Sequence, residues 1–390
     1  TGVLTIGYRH ILPIVPFLLL LAGQVLADQP KVTLTRSRLV MVLTLALLLW
    51  QAAGSLRRFP HQESFFNDLA GEWYNWSNYL VDSNLDWGQD LPALRKVMDE
   101  QGIASVNLAY FGKAVPEVYG VRYTPLYGYL RFVEGNEPAA YNPYTPEPGW
   151  YAISATSLRL GLHQPETLDL YAYFRNRQPD AHAGYSIYLY HVVDQPGVAV
   201  DRRVVTGEPV YQLTPAEIGV QPGRRVQVKW QATPAAQIYP LGEGFVPPDS
   251  GYHAVGANFA GVVTLLGYSQ SSALQAGQPF PIVLYWQVGE RTMPMPAPTH
   301  GSPLAAFVHL TAPGDAQAKL AQFDGWPTAL RGLEPGDVIA QPVELDMPPD
   351  LPSGAYDLLV GLYSPQSFAR LTVEDGSGAD FMRVDQVEVE

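Results

Sequence analysis

Two long apolar runs near the beginning of the chain constrain the fold more than any other feature. Residues 11–27 hold no charged side chain, and residues 39–54 form a second run of the same kind. A helix needs about 20 apolar residues to cross a hydrocarbon core of about 30 Å. We therefore predict a transmembrane helical hairpin within residues 1–58, with spans at about 11–27 and 39–54. The alternative is a pair of buried core helices in a soluble protein.

The basic residues near these runs favour neither orientation of the hairpin in the membrane clearly. Lys31, Arg36 and Arg38 lie in or beside the linker and favour a cytoplasmic linker, whereas Arg9 precedes the hairpin and Arg57 and Arg58 follow it. The remaining chain of more than three hundred residues is acidic, with a formal net charge of −13 for the whole sequence, and contains no cysteine. We expect an integral protein of a bacterial cell membrane with most of its chain extracytoplasmic.

The same composition excludes several functions. Nucleic-acid surfaces need clustered Lys and Arg, which an acidic chain does not supply, so no nucleic-acid partner is predicted. Disulfide scaffolds, thiol catalysis and cysteine-based zinc sites are excluded by the absence of cysteine. The histidines have no spacing typical of metal ligands, and no phosphate-binding or dinucleotide-binding motif is present, so no cofactor and no metal is predicted.

Beyond the hairpin, two patterns succeed one another, and together they predict a multi-domain fold. Residues 59–194 mix helical and strand signals, which predicts an α/β domain. Residues 195–390 consist of short apolar runs separated by Gly, Pro and Asp turns, which is typical of an antiparallel β-sandwich. The runs at 225–230, 282–286, 306–310 and 356–363 are the clearest predicted strands. His309, inside one of them, is predicted to be a core residue.

The stretch 81–90, VDSNLDWGQD, begins like a calcium-binding loop. Asp82, Asn84 and Asp86 fit its first three ligand positions, but the sixth position is Trp87 instead of glycine, and the closing glutamate is missing. We interpret the stretch instead as the loop of a βαβ unit. Residues 79–81 would end the first strand, Asp90 would cap a helix that ends at Gly102, and a second strand would cover 106–111.

Several blocks together resemble a known family. GYRHILPIVPFLLLLAG, FPHQESFFNDLAG, YLVDSNLDWGQDLPAL, LAYFGKAVPEVYG, PGWYAISATSL and GYSIYLYHV keep their order within residues 1–194. In this order they resemble the C-terminal part of bacterial GT-C type membrane glycosyltransferases, similar to the dolichyl-phosphate-mannose protein mannosyltransferase family. The tail from about residue 196 resembles the β-sandwich domain appended to some of these enzymes.

The resemblance implies a polyprenyl-phosphate-linked sugar donor and an extracytoplasmic glycan or protein acceptor. The acidic general base of such enzymes lies in a first loop that would precede Thr1, so we expect the chain to be a C-terminal fragment, inactive alone, and assign no catalytic residue here. The family's stretch before a late helix matches Arg9 and His10. A cation there can bind a lipid phosphate, or simply extend to the membrane interface.

The resemblance gives the VDSNLDWGQD stretch no role, and its residues suggest one. We predict that Asp82, Asn84, Asp86, Trp87 and Gln89 form a loop that contacts acceptor or sugar. The first alternative function is a membrane-anchored carbohydrate-binding or surface-assembly module without catalysis. In such a module Trp230, Trp286 and Trp326 would stack on sugar rings, although aromatic residues of a sandwich are more often core residues. A second alternative is a soluble glycosidase, which needs two facing carboxylates.

Overall fold

The computed structural model describes residues 12–27, 34–64, 68–127, 136–160, 169–270, 273–291 and 303–389. The first part is helical, with α1 at Val15–Ala27 and α2 at Leu34–Arg57. Of the residues described, one helical segment, Arg38–Arg57, is long and apolar enough to cross a membrane, and Val15–Gln24 is a shorter apolar segment. Both predicted runs are therefore helical, but the prediction of two membrane spans is not confirmed.

An α/β part follows, in which a mixed sheet is covered by short helices. Its sheet has the order β2-β1-β3-β5-β4, with β1 parallel to β2 and β3, and β5 antiparallel to β3 and β4. The strands are β1 (Val106–Ala109), β2 (Tyr123–Pro125), β3 (Gly149–Ser154), β4 (Ala181–Ala183) and β5 (Ile187–Val192). The helices are α3 (Leu91–Gln101), α4 (Asn136–Ala139), α5 (Ala155–Leu160) and α6 (Ala172–Arg175).

The predicted βαβ unit is correct in its second half and wrong in its first. Helix α3 ends at Gly102, which takes the left-handed conformation that glycine tolerates best, and β1 follows as predicted. Residues 79–81 are not a strand. The preceding 3-10 turn, Trp73–Asn78, closes with the N–H of Tyr79 bonded to the carbonyl of Trp76, and the side chain of Tyr79 is exposed. An apolar run without a neighbouring strand to pair with does not become part of a sheet.

A small parallel sheet connects the α/β part to the rest of the chain. It pairs β6 (Ala199–Thr206) with β7 (Arg224–Gln231). The crossover between them carries α7 (Pro215–Ile218), whose N-terminus is closed by a capping box of Thr214 and Glu217. The predicted strand at 225–230 therefore exists, but it belongs to this sheet and not to an antiparallel one.

The C-terminal part is β-rich and antiparallel, as predicted. One sheet has the order β8-β14-β11-β10-β9 and the other β13-β12-β15-β16. The strands are β8 (Gln237–Tyr239), β9 (Tyr252–Phe259), β10 (Val263–Gln270), β11 (Pro279–Val288), β12 (Ala305–Ala312), β13 (Asp315–Gly325), β14 (Val338–Asp346), β15 (Gly354–Tyr363) and β16 (Met382–Val389). We call residues 237–389 the β-rich part.

Alternate residues of these strands build one hydrophobic core between the two sheets. Ile282, Leu284 and Trp286 of β11 share a core cluster with Val308 of β12 and Leu358 of β15. Side chains two positions apart point to the same face of a strand, which places these residues on the face between the two sheets. The predicted strands at 282–286, 306–310 and 356–363 are confirmed.

His309 is a core residue, as predicted. Its side chain is buried in β12 and stacks on Phe307, with the ring centroids 4.6 Å apart. Burial, with Lys319 nearby, lowers the pKa of His309 to about 4, so the imidazole is neutral at physiological pH.

Candidate functional site

The VDSNLDWGQD loop lies along one edge of the α/β sheet, where β1 and β3 end and β5 begins. The N–H of Asp82 donates to the hydroxyl of Thr156, which follows β3, at 2.9 Å. The hydroxyl of Tyr110, which follows β1, donates to the carbonyl of Gly88 at 2.7 Å. The carboxyl ends of parallel strands are where α/β proteins commonly place functional loops. The loop thus has the predicted kind of location, although the predicted strand before it is absent.

Asp86 is fully buried and holds the loop in shape. Its carboxylate accepts from the N–H of Gly88 at 3.0 Å and from the N–H of Thr156 at 3.4 Å, and it is within hydrogen-bonding reach of the Ser154 hydroxyl. Burial raises the pKa of Asp86 to about 7, against these hydrogen bonds, which lower it. With no exposed surface, the side chain does not reach a substrate directly. The prediction of an acceptor contact through Asp86 is therefore replaced by a structural role.

Asp90 fastens the far end of the loop to the start of β5. One carboxylate oxygen accepts three hydrogen bonds, from the Ser186 hydroxyl at 2.8 Å and from the N–H groups of Tyr185 and Ser186 at 3.1 Å each. The other oxygen lies 2.8 Å from Nδ1 of His61. Asp90 does occupy the N-cap position of α3, but its side chain makes no capping hydrogen bond. The predicted capping role was wrong because donors far along the chain occupy the carboxylate.

Gly88 is the loop position that needs glycine. Its φ is +77°, a left-handed conformation, and a Cβ atom there would collide with the ring of Tyr110 and the backbone of Phe111. Glycine thus lets the loop backbone lie close against Tyr110 and Phe111 at the end of β1.

The loop is also bound to the segment that leaves helix α2. The hydroxyl of Ser64 donates to the carbonyl of Leu85 at 2.8 Å. The side-chain amide of Gln89 donates to Ser64 at 2.8 Å and to Leu85 at 3.1 Å, while its oxygen accepts from the N–H of Trp87 at 2.7 Å. Together with the His61–Asp90 contact, these bonds attach the loop to residues 61–64, a few positions after the end of α2. Sequence reasoning missed His61 and Ser64 because no local pattern marks them.

Asp82, Asn84 and Trp87, three other predicted site residues, are more exposed than Asp86. Asp82 and Asn84 are half-buried, and the Asn84 amide donates to the carbonyl of Val81 at 3.3 Å. The side chain of Trp87 is 50% exposed and is the large apolar side chain that the loop presents to solvent. Asp82, Asn84 and Trp87 can therefore be reached by a ligand without unfolding the loop. Arg9 and His10 lie outside the described residues.

A metal site does not form among the residues that the structure describes. No group of three or more His, Asp or Glu side chains in these ranges is arranged to hold an ion. The carboxylates of Asp86 and Asp90 accept backbone and hydroxyl hydrogen bonds instead, which are the contacts expected of anions paired with donors rather than with a cation.

A second polar site lies at the junction of the α/β part and the β-rich part. A cleft of about 280 Å³ is lined by Asn107, Glu137 and Glu147 from the first part and by Val288 and Arg331 from the second. Clefts between domains are common ligand sites. Sequence reasoning missed this one because its two walls are about 200 positions apart in the chain.

Most polar groups of this cleft also hold the two parts together. The guanidinium of Arg331 donates to Asn107 at 2.8 Å, and the Glu137 carboxylate accepts from the N–H groups of Leu330 at 2.6 Å and Arg331 at 3.0 Å. Burial raises the pKa of Glu137 and of half-buried Glu147, and the positive charge of Arg331 opposes both shifts. The cleft therefore combines carboxyl, amide and guanidinium groups beside an apolar wall.

The three tryptophans predicted to stack on sugars are core residues. Trp230, Trp286 and Trp326 are 6%, 0% and 7% exposed, so none presents a ring face to a ligand. The indole N–H of Trp286 donates to the side chain of Gln341 at 2.9 Å, and that of Trp230 donates to the carbonyl of Glu208 at 3.0 Å. The stacking interpretation is wrong, and the alternative of core residues is confirmed.

Comparisons with known proteins add little to this picture. No protein-family model matches the chain, and no curated protein sequence matches it either. Among solved structures, the chain is similar to the C-terminal domain of wzt, with 16% sequence identity and a TM-score of 0.26. The match covers 39% of this chain and 86% of that one. At this TM-score the likeness supports no assignment of function.

Proposed function

We propose that this chain is the C-terminal part of an integral membrane glycosyltransferase that transfers a sugar from a polyprenyl-phosphate donor to an extracytoplasmic acceptor. The proposed architecture is a pair of membrane helices, an α/β domain and a β-sandwich. The observation that carries the proposal is the attachment of the VDSNLDWGQD loop to the end of an apolar helix. His61 and Ser64 follow α2 directly and bind Asp90, Leu85 and Gln89 of the loop.

This attachment suits a lipid-linked donor. The sugar of such a donor lies at the membrane surface, because the phosphate that carries it is fixed at the headgroup level by its lipid tail. A loop held beside a helix end is within reach of that sugar, and Asn84 and Trp87 offer an amide and an aromatic face, two groups that bind sugars well. Arg9 and His10 remain predicted ligands of the lipid phosphate.

The proposal assigns binding and positioning to this chain, and catalysis to residues outside it. Glycosyl transfer to a hydroxyl needs a carboxylate to accept the proton of the acceptor. Asp86 has a pKa in a suitable range but no exposed surface, so it is not that base. The proposed location is a bacterial cell membrane, with lipid, lipid-linked sugar and a glycan or protein acceptor as partners.

The test is sugar transfer by the whole enzyme carrying loop substitutions. Asn84→Ala and Trp87→Ala should each lower transfer from polyprenyl-phosphate mannose by an order of magnitude or more if they contact donor or acceptor. Phe368→Ala, at an exposed apolar site of the β-rich part, is the matched control and should leave transfer unchanged. Full transfer by both loop variants, with mannose and with glucose donors, would refute the proposed role of the loop.

A second candidate function, a membrane-anchored carbohydrate-binding module, is favoured by the cleft at Glu147 and Arg331. Its carboxyl, amide and guanidinium groups beside an apolar wall match the hydroxyl-rich and apolar faces of a sugar. Calorimetric titration of the chain in detergent with maltohexaose, cellohexaose and chitohexaose tests it. Binding of one oligosaccharide that Glu147→Gln weakens would support this function, and no heat with any of them would count against it.

A further inference from the structure

Exposed apolar side chains recur along the segment that follows helix α2, and Val115, Val118 and Tyr119 form a second exposed group in the α/β part. We call the residues Phe59, Leu69, Tyr79, Leu80 and Trp87, which are 72%, 86%, 62%, 41% and 50% exposed, the 59–87 apolar set. The described residues of the β-rich part spread their exposed large apolar side chains thinly, at Leu241, Val246, Leu320 and Phe368. Exposed apolar residues that recur within a short stretch indicate a contact with another apolar phase or partner.

The length of the apolar helix sets where this segment begins. The candidate span Arg38–Arg57 has 20 residues, which at 1.5 Å per residue is about 30 Å, the thickness of a hydrocarbon core. Arg57 would therefore lie at the boundary between acyl chains and headgroups. The headgroup layer beyond it is about 5–8 Å thick on each side.

The chain from Arg57 to Ser64, a residue that binds the loop, is short and turned. The N–H of His61 bonds to the carbonyl of Arg58, and the N–H of Ser64 bonds to that of His61 at 3.3 Å, so residues 58–64 continue as tight turns. At about 2 Å per residue for 3-10 geometry, Ser64 lies within roughly 14 Å of Arg57. Even a fully extended chain from Arg57 to His61 would span no more than about 14 Å.

The contacts from this segment then attach Trp87 to the chain that leaves the helix. Ser64 binds the Gln89 amide, and the Gln89 oxygen binds the N–H of Trp87, so two hydrogen bonds separate Trp87 from the helix exit. The His61–Asp90 contact attaches the other end of the loop to the same segment. Because Asp90 is buried and bound to Ser186, the loop cannot swing away without breaking contacts inside the α/β part.

We propose that the 59–87 apolar set rests in the headgroup layer of the bilayer, with the indole of Trp87 as an interfacial anchor that holds the loop on the lipid surface. The partner is the lipid bilayer itself, since the set follows the membrane-crossing helix without a spacer. Indole rings favour this layer because they combine a large apolar face with one N–H donor. The inference rests on the proposed membrane insertion of α2 and adds the orientation of the α/β part to it.

Site-directed spin labelling of the full chain tests the inference directly. The chain contains no cysteine, so single-cysteine variants take a label at one site only. The chain is placed in nanodiscs of phosphatidylethanolamine and phosphatidylglycerol that contain a nickel-chelating lipid, and relaxation of the label by the headgroup-bound nickel is measured. The test sites are Trp87→Cys and Tyr79→Cys, and Phe368→Cys is the matched exposed control in the β-rich part.

Labels at positions 87 and 79 should relax several-fold faster with the nickel lipid than the label at position 368. Leu47→Cys, within the helix, reports insertion separately, because its label should be accessible to oxygen but not to water-soluble nickel. If the label at position 47 is inserted but the labels at positions 87 and 79 relax no faster than the label at position 368, the inference about the apolar set is overturned and the membrane insertion of α2 stands. A label at position 47 that is accessible to water would overturn the proposed membrane insertion as well.

Discussion

The α/β part and the junction before the β-rich part both bury carboxylates, but different groups bind the carboxylate in each. Asp90 is bound by the N–H groups of Tyr185 and Ser186, a hydroxyl and an imidazole. Asp337 is bound by the ammonium of Lys229 at 2.6 Å and by the N–H groups of Leu241 and Glu334 at 2.8 Å each, and the side chains of Lys229 and Asp337 are fully buried. Backbone N–H groups therefore bind both carboxylates, but only Asp337 is also paired with a buried cation, which joins β7 to the β-rich part.

The difference shows what each site is sensitive to. A buried ion pair depends on both partners, because the remaining charge is left without a counterion when one is removed. A carboxylate held by N–H groups depends on the backbone that presents them, so its loss leaves donors unsatisfied in a local region. Loss of one partner of the ion pair should destabilise the whole fold, whereas loss of the carboxylate of Asp90 should affect the loop and its neighbours.

The largest effect is expected for Lys229→Met. The methionine fills the space but leaves Asp337 buried without its cation, which should lower the free energy of unfolding by about 4 kcal/mol. Urea denaturation of the chain in detergent measures this. The double variant Lys229→Met/Asp337→Leu should recover part of the loss, because it removes the unpaired charge but leaves the N–H groups of Leu241 and Glu334 without their acceptor. A double variant as unstable as the single one would show that the charge is not the cause.

A smaller and more local loss is expected for Asp90→Ala. Removal of the carboxylate leaves the N–H groups of Tyr185 and Ser186 without acceptors, at a cost of roughly 3 kcal/mol. Hydrogen exchange should accelerate at residues 61–64 and 184–186 and stay unchanged in the β-rich part. Asp90→Asn keeps one acceptor oxygen and should lie in between. Uniform acceleration across the chain would contradict the local role.

The pH dependence of stability should report Asp86. Its pKa of about 7 in the folded chain exceeds the ordinary value of 3.8, so between these values the folded state binds more protons than the unfolded state. Stability should therefore be highest at low pH and fall as pH rises, by roughly 2 kcal/mol from pH 5 to pH 7 for this group. Urea denaturation of Asp86→Asn at both pH values should show a smaller fall than the unchanged chain. An equal fall in both would exclude Asp86 as its source. Glu147→Gln should also show a smaller fall, because burial raises the pKa of that carboxyl too.

The smallest effect on stability is expected for Trp87→Ser. The indole is exposed, and the contact that orders the loop at this position uses the backbone N–H, which serine keeps. The free energy of unfolding should change by less than about 0.5 kcal/mol. A loss of several times that amount in detergent would mean that the ring packs against the fold, and not against lipid.

Local patterns in the sequence were sufficient for the elements whose cause is local. The helical spacing and Gly102 predicted α3 and its end, and the short apolar runs between Gly, Pro and Asp turns predicted β11, β12 and β15. The predictions that failed concern partners. Residues 79–81 have an apolar strand composition but no strand beside them, and Arg225–Trp230 pairs with β6 in a separate parallel sheet.

The candidate site was found in part. The VDSNLDWGQD stretch was singled out for its polar residues, but the Asp86 carboxylate was assigned to a ligand although it is buried and bound by the protein. The burial of Asp86 could not be seen from its neighbours, because Thr156 lies 70 positions away and Ser186 lies 96 positions from Asp90. The same holds for the cleft at Arg331.

The sequence by itself determined the apolar helical runs, the change from mixed to strand-rich pattern and the absence of thiol chemistry, because these depend on composition and spacing over a few turns of chain. Tertiary structure alone decided which polar groups meet. Lys229 and Asp337 are 108 positions apart, and His61 meets Asp90 across 29. A hydrogen bond is formed by groups a few ångströms apart in space, whatever their distance along the chain, so these partners appear only when the chain is folded.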